Sequence, residues 1–252
     1  MYTVFNKILF FGIIIIFFSC NDPAKKEGIL INGQILNASG VKLKFQELDV
    51  DSIHDLDSIA LDEKGLFRFT FNPSDAGFYV LKSSTGEYIL LLLEINEEVN
   101  VFADLKKQPF NYKVYGSPGS ILLKEFYDNT LINLLKADSL RSVLMANRES
   151  PSFYKLSLSF DSLFQELVDD QKIIGKIFIR QNLNSMASLI VLNYKFGMMP
   201  VLRAEDDFPV FLKLDSALSI RYPANKHVVF HHTRVIEHQR QEREKQSLKR
   251  SN

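Results

Sequence analysis

Leu66-Phe67-Arg68-Phe69-Thr70-Phe71 is the stretch that decides the fold class of the first half of this chain. Its three phenylalanines recur at every second position, so an extended strand places all three rings on one side. Leu66, Arg68 and Thr70 then face the other way, whereas a helix would scatter the rings around its axis. Just upstream, Asp62-Glu63-Lys64-Gly65 ends in a glycine that can adopt a positive φ, and Ile59-Ala60-Leu61 precedes it. The spacing predicts a hairpin across that turn.

The period of two extends outward over residues 28–116. Val41, Leu43 and Phe45 alternate with Lys42, Lys44 and Gln46, so one strand face is buried and the other wet. Further strands are predicted at residues 29–36, 78–82, 88–95, 99–103 and 112–115. The run Ile89-Leu90-Leu91-Leu92-Leu93 is apolar on both faces and predicts a central strand. Short strands separated by turn residues point to an antiparallel sandwich or barrel.

At Ser117-Pro118-Gly119 the apolar period changes to 3.6, with the serine placed to cap a helix whose first turn takes the proline. Leu123, Tyr127, Leu131, Leu134 and Leu135 share one helical face. A second helix, capped by Ser152, carries Phe153, Leu156, Phe160, Leu163, Phe164 and Leu167 and runs on through Ile174, Ile177 and Phe178. A third is predicted over residues 187–196, a fourth around Phe211, Leu214 and Leu218, and a last one from near Asn225. The expected class is α+β, with an antiparallel β domain at residues 28–116. A helical domain with a polar C-terminal tail follows at residues 117–252.

Ahead of the folded part, Lys7 precedes the run Ile8-Leu9-Phe10-Phe11-Gly12-Ile13-Ile14-Ile15-Ile16-Phe17-Phe18, and Ser19-Cys20 follows. A positive residue, a short apolar stretch and a small residue at the cut are the parts of a signal peptide. A spanning helix needs about 20 apolar residues, and this run is roughly half that. Phe17-Phe18-Ser19-Cys20 resembles the lipobox of bacterial lipoproteins, with Phe17 where an aliphatic residue is usual. The resemblance implies cleavage of residues 1–19 and lipid on Cys20, with residues 20–27 a polar tether. It places the folded part in the cell envelope, anchored to a membrane through Cys20, with the outer membrane the expected one.

Composition narrows the rest. Thirty basic and thirty acidic side chains leave no net charge, which argues against a nucleic-acid partner. Cys20 is the only cysteine, so there is no intramolecular disulfide, Cys-x-x-Cys pair or cysteine zinc cluster. No Gly-x-Ser-x-Gly elbow or phosphate-binding glycine loop appears, so neither an enzyme nor a cofactor is expected.

Read in order, these pieces resemble the uncharacterised β-domain and helical segment that precede a thioredoxin-like domain in lipoproteins of Bacteroidetes. The resemblance rests on Gly33, on Asp57-Ser58-Ile59-Ala60-Leu61-Asp62 leading to Gly65-Leu66-Phe67, and on Gly77-Phe78-Tyr79-Val80-Leu81. It continues through Tyr112-Lys113-Val114-Tyr115-Gly116-Ser117, Phe211-Leu212-Lys213-Leu214-Asp215-Ser216-Ala217-Leu218 and Tyr222-Pro223. The family continues into a Trp-Cys-x-x-Cys centre that these residues do not contain. The expectation is therefore a non-catalytic binding or interaction module. The alternative is the detached front half of a thiol-disulfide oxidoreductase, partnered by a separately encoded protein with a thioredoxin fold.

Two polar clusters stand out. His227, His231 and His238 fall within about 40° of one another on a helical wheel, close to His232, but Arg234 shares the stripe and no carboxylate completes a metal set. Asp49, Asp51, Asp55 and Asp57 surround His54 in an expected solvated loop that lacks the glycine and glutamate of a calcium loop. An ordinary amphipathic helix and a hairpin connection are the expectations for these clusters. No metal site is expected from either.

Overall fold

A computed structural model describes residues 28–251. The expectations for the signal peptide, for Cys20 and for the tether lie outside the described residues. Eight strands come first: β1 (Ile29–Leu36), β2 (Lys42–Leu48), β3 (Ile53–Ala60), β4 (Leu66–Phe71), β5 (Gly77–Ser83), β6 (Tyr88–Leu93), β7 (Glu98–Asp104) and β8 (Tyr112–Tyr115). Helices α1 (Pro118–Ala146), α2 (Phe153–Gln181) and α3 (Ala187–Leu192) follow, then the two-residue strands β9 (Lys195–Phe196) and β10 (Met199–Pro200), then α4 (Ala204–Arg221) and α5 (Lys226–Ser251). The chain is α+β, strands first and helices after. Among the described residues no helix is long and apolar enough to cross a membrane.

The strands form two four-stranded sheets, ordered β4-β1-β7-β8 and β3-β2-β5-β6. All pairs are antiparallel except β1 with β7, which run parallel with Gly33 opposite Val101. The inward side chains of both sheets make one core. Phe45 of β2 stacks on Phe69 of β4 at 5.4 Å and on Tyr79 of β5 at 5.5 Å, so rings from the two sheets interleave. Gly33 is required where Phe67 crosses it, because a Cβ there would lie 2.4 Å from the phenylalanine ring and from the Val101 carbonyl.

Two sequence expectations need correction here. The aromatic strand β4 does not pair with β3; it pairs with β1, while β3 pairs with β2 in the other sheet. Asp62 and Gly65 do make a turn, with Gly65 at φ +65° and its N–H bonded to Asp62, but the chain crosses between sheets there. Strand β6, predicted central, lies at the edge of its sheet. Its two-sided burial comes from the helical core on its outer face, and α1 also covers the open edge. Ser120 Oγ accepts from the Leu92 N–H at 3.1 Å, and Ser117 and Ser120 hydroxyls lie 2.9 and 3.0 Å from the Leu92 carbonyl. The serines that open α1 thus satisfy the backbone groups that an edge strand leaves bare.

The helices pack on the outer face of the sheet containing β5 and β6. Phe78 and Leu92 point away from the sheet–sheet core into a helical core with Leu123, Phe178, Leu189 and Leu214. Phe78 and Tyr79, adjacent on β5, therefore belong to different cores. Helices α1 and α2 pack along Phe126, Thr130, Asn133, Ala137, Leu140 and Leu144, a seam of alternating three- and four-residue steps. Of the predicted face, Leu123 and Leu134 reach the helical core, Tyr127 and Leu131 lie beside this seam, and Leu135 is exposed. Gln171 of α2 donates to Thr130 of α1 at 2.9 Å inside it. Ser152 sits at the start of α2 without a side-chain capping bond, and α3 ends at Leu192 rather than at residue 196. Helix α4 kinks at Asp207, whose buried carboxylate is held by Lys172 at 2.9 Å and Lys176 at 2.7 Å.

Candidate functional site

Where the sheet meets the helices, Asn225 fixes the start of α5. It is buried, its side-chain N–H groups reach the Ala76 carbonyl at 2.7 Å and Asp75 at 2.9 Å, and its Oδ1 accepts from the His227 N–H. One residue on, Lys226 bridges Glu47 at 2.7 Å and Asp49 at 3.1 Å at the end of β2. Partial burial favours neutral Lys226, but the two carboxylates together outweigh this and hold its pKa above the ordinary lysine value. Asp49 is held below the usual carboxylate range, first by the Val50 N–H and then by Lys226.

With its first turn fixed, α5 presents His227, Phe230, His231 and Arg234 on one face, as steps of three and four residues require. These four residues, the β2 end at Leu48, Asp49 and Val50, Phe78 of β5, and Leu189, Ile190, Asn193, Tyr194 and Lys195 line a groove of about 570 Å³. That volume lies in the range of small-molecule sites. The wall is mixed. His227 stands edge-on to Phe78 with centroids 4.9 Å apart, and its Nε2 is sealed from solvent without a hydrogen-bond partner. His231 is buried with Nε2 3.4 Å from the Phe211 carbonyl. Burial lowers the pKa of both, with the Lys226 charge adding to the effect on His227. Tyr194 has its pKa pushed up to about 12 by burial and keeps its phenolic proton.

The two polar clusters singled out in the sequence therefore converge, Asp49 from one and His227 and His231 from the other. The rest of each cluster goes elsewhere. His232 pairs with Asp215 at 3.0 Å, and His238 lies tilted against Phe208 at 4.4 Å in a neighbouring cleft between α4 and α5 that shares His231 and Arg234 with the groove. His54, Asp55 and Asp57 are not in a loop; they lie on β3, the exposed edge strand, where Asp55 pairs with Lys44 at 2.7 Å. Charge on an open edge discourages pairing with other chains. Among the described residues no group of three or more His, Cys, Asp or Glu is placed to hold a metal ion.

Sequence reasoning did not place Phe78, Asn193, Tyr194 or Lys195 at a site. The signal for Phe78 was present in Gly77-Phe78-Tyr79-Val80-Leu81, an unbroken apolar run that implies cover on both faces of its strand. The residues from Asn193 to Lys195 carry no such pattern. Their position depends on the end of α3, where the Asn193 side chain bonds the Leu189 carbonyl at 2.8 Å.

No family model matches the sequence, and comparison with curated proteins finds none similar to it. Among solved structures, the chain is similar to the NMR structure of a protein from Eubacterium rectale at 13% identity and TM-score 0.23, covering 38% of this chain and 92% of that one. It is also similar to a 9R-lipoxygenase from Cyanothece PCC8801 at 12% identity and TM-score 0.24, covering 52% of this chain and 30% of that one. Superpositions this loose carry neither an activity nor a ligand to this chain.

Proposed function

We propose that this protein is a non-catalytic binding module of the cell envelope, anchored by lipid on Cys20 and engaging its ligand in the groove between β2, α3 and α5. The observation that supports the reading is the groove itself. It is built from four separate parts of the chain, it is concave, and it combines apolar walls with a few fixed polar groups. The anchor rests on the signal pattern and the lipobox resemblance at Cys20. A thioredoxin-fold partner rests on the family resemblance, and no contact among the described residues favours it over other partners.

The test is site-specific photocrosslinking in the native envelope, with adducts read by mass spectrometry. A benzophenone side chain replaces Phe230, which lines the groove, or Ile220, which is 85% exposed and lies outside it. The expected result is a discrete adduct from position 230 that is missing from position 220, in protein that sediments with membranes. The Cys20→Ala variant is expected to leave the membrane fraction. Identical adducts from both positions, or none from either, would remove the groove from the account.

A further inference from the structure

Two cations in this groove have no carboxylate partner among the described residues. Lys195 is exposed at the start of β9 and makes no ion pair there. Arg234 donates to the Asn193 side-chain oxygen at 3.0 Å and lies over the Phe230 ring at 5.9 Å, both neutral groups. Asp49 is the one acidic residue among those lining the groove, and Lys226 already holds it at 3.1 Å. The wall is mixed, and Phe230, 46% exposed, is its most open aromatic surface, with Phe78 and Leu189 buried behind it.

This charge arrangement selects a ligand class. A guanidinium is weakly hydrated and presents a planar fork of donors, so it prefers a carboxylate to a neutral oxygen. A second cation on the same groove adds attraction. The exposed Phe230 ring favours a flat partner that can stack on it or meet it edge-on. We propose that the groove binds a small carboxylate with a flat apolar body, its charge met by Arg234 and Lys195 and its body set against Phe230. The inference rests on the reading of the groove as the binding site and adds the chemical class of ligand. His227 and His231 stay neutral above about pH 6.5, so the selectivity belongs to the two cations across the neutral range.

The test uses the full chain in lipid nanodiscs, with empty nanodiscs as the blank. Fluorescence anisotropy follows binding of 2-naphthoate and of 2-naphthalenemethanol, which share a body and differ in charge. The acid is expected to bind at least tenfold more tightly than the alcohol. In the double variant Lys195→Gln/Arg234→Gln that ratio is expected to fall below about threefold, with an unchanged circular dichroism spectrum because both side chains are exposed. Arg234→Lys is expected to retain part of the preference. Equal binding of acid and alcohol, or no binding of the acid at millimolar concentration, overturns the inference. If the photocrosslink at position 230 persists while naphthoate fails, only the ligand class is wrong. If both fail, the groove is not a binding site.

Discussion

At the scale of single residues, burial of two histidines makes stability depend on pH in a stated direction. His227 faces Lys226, Asp49, Glu47 and Asp75, and His231 faces Asp215, Arg234, His232 and the Phe211 carbonyl. In both, burial dominates and lowers the folded-state pKa below 6.5. The unfolded chain then binds more protons once the pH falls through about 6.5, so stability is full above that value and declines below it. Asp49 and Asp207, both lowered from 3.8, begin to lose their contribution only near and below that value. Glu97, raised by burial, acts in the opposite sense and cancels between proteins that share it. The melting temperature is therefore expected to fall between pH 7.5 and 5.5, and the double variant His227→Phe/His231→Gln is expected to lose most of that slope. A variant with the full slope would show that other groups carry it. The helical wheel put three histidines on one face, yet the structure divides them among different neighbours. Periodicity states which way a side chain points and leaves open what stands opposite.

At the scale of elements, two packing devices give separable outcomes. The first is the serine pair that covers β6. Replacing Ser120 by Ala strips the Leu92 N–H of its partner in a buried setting, and a cost of about 1–3 kcal/mol is expected. Amide exchange at Leu92 is expected to quicken more than at Leu91, whose N–H belongs to the face of the strand paired within the sheet. The second device is the Gln171–Thr130 pair in the α1–α2 seam. Thr130→Val leaves the Gln171 amide unpaired beside an Oε1 that already has no partner, at a cost of about 1–2 kcal/mol. Adding Gln171→Leu is expected to restore stability to within about 1 kcal/mol of the parent, since two apolar groups pack where two polar ones met. Failure of the second change to rescue the first in a denaturant series would mean that the polar pair fixes the helix register. Most strands were legible from alternation alone, and β1 and β8 match their expected bounds. Strand partners were not. The turn before Phe67 looks local, but β4 finds β1, whose paired residues lie 32 to 42 positions upstream, because its three rings are needed between the sheets. Two-sided burial of β6 likewise reports that both faces are covered; the covering helix lies further along the chain.

At the scale of the whole molecule, the groove follows from how the sheets and helices share apolar surface. Phe78 and Leu92 project from the sheet into the helical core, and Leu48 and Leu90 pack against it. Asn225, Lys226 and Tyr222 then tie the α4–α5 end back to β2, β5 and the β6–β7 turn, the last through Glu94 at 2.9 Å. The change of period at Ser117 marks where strands give way to helices. It does not reveal that the outer face of one sheet has the helices as its cover, because the alternating pattern of β5 is simply filled in on both sides. A sheet pair separated from its helices would expose this face to water and would be prone to associate. The central claim is that the groove is the product of one core shared between sheet and helices. Scanning calorimetry on residues 28–251 tests it most directly. One transition is expected, with equal calorimetric and van't Hoff enthalpies, and with residues 28–116 alone failing to show a cooperative transition. Two resolved transitions, one of them reproduced by residues 28–116, would contradict the claim.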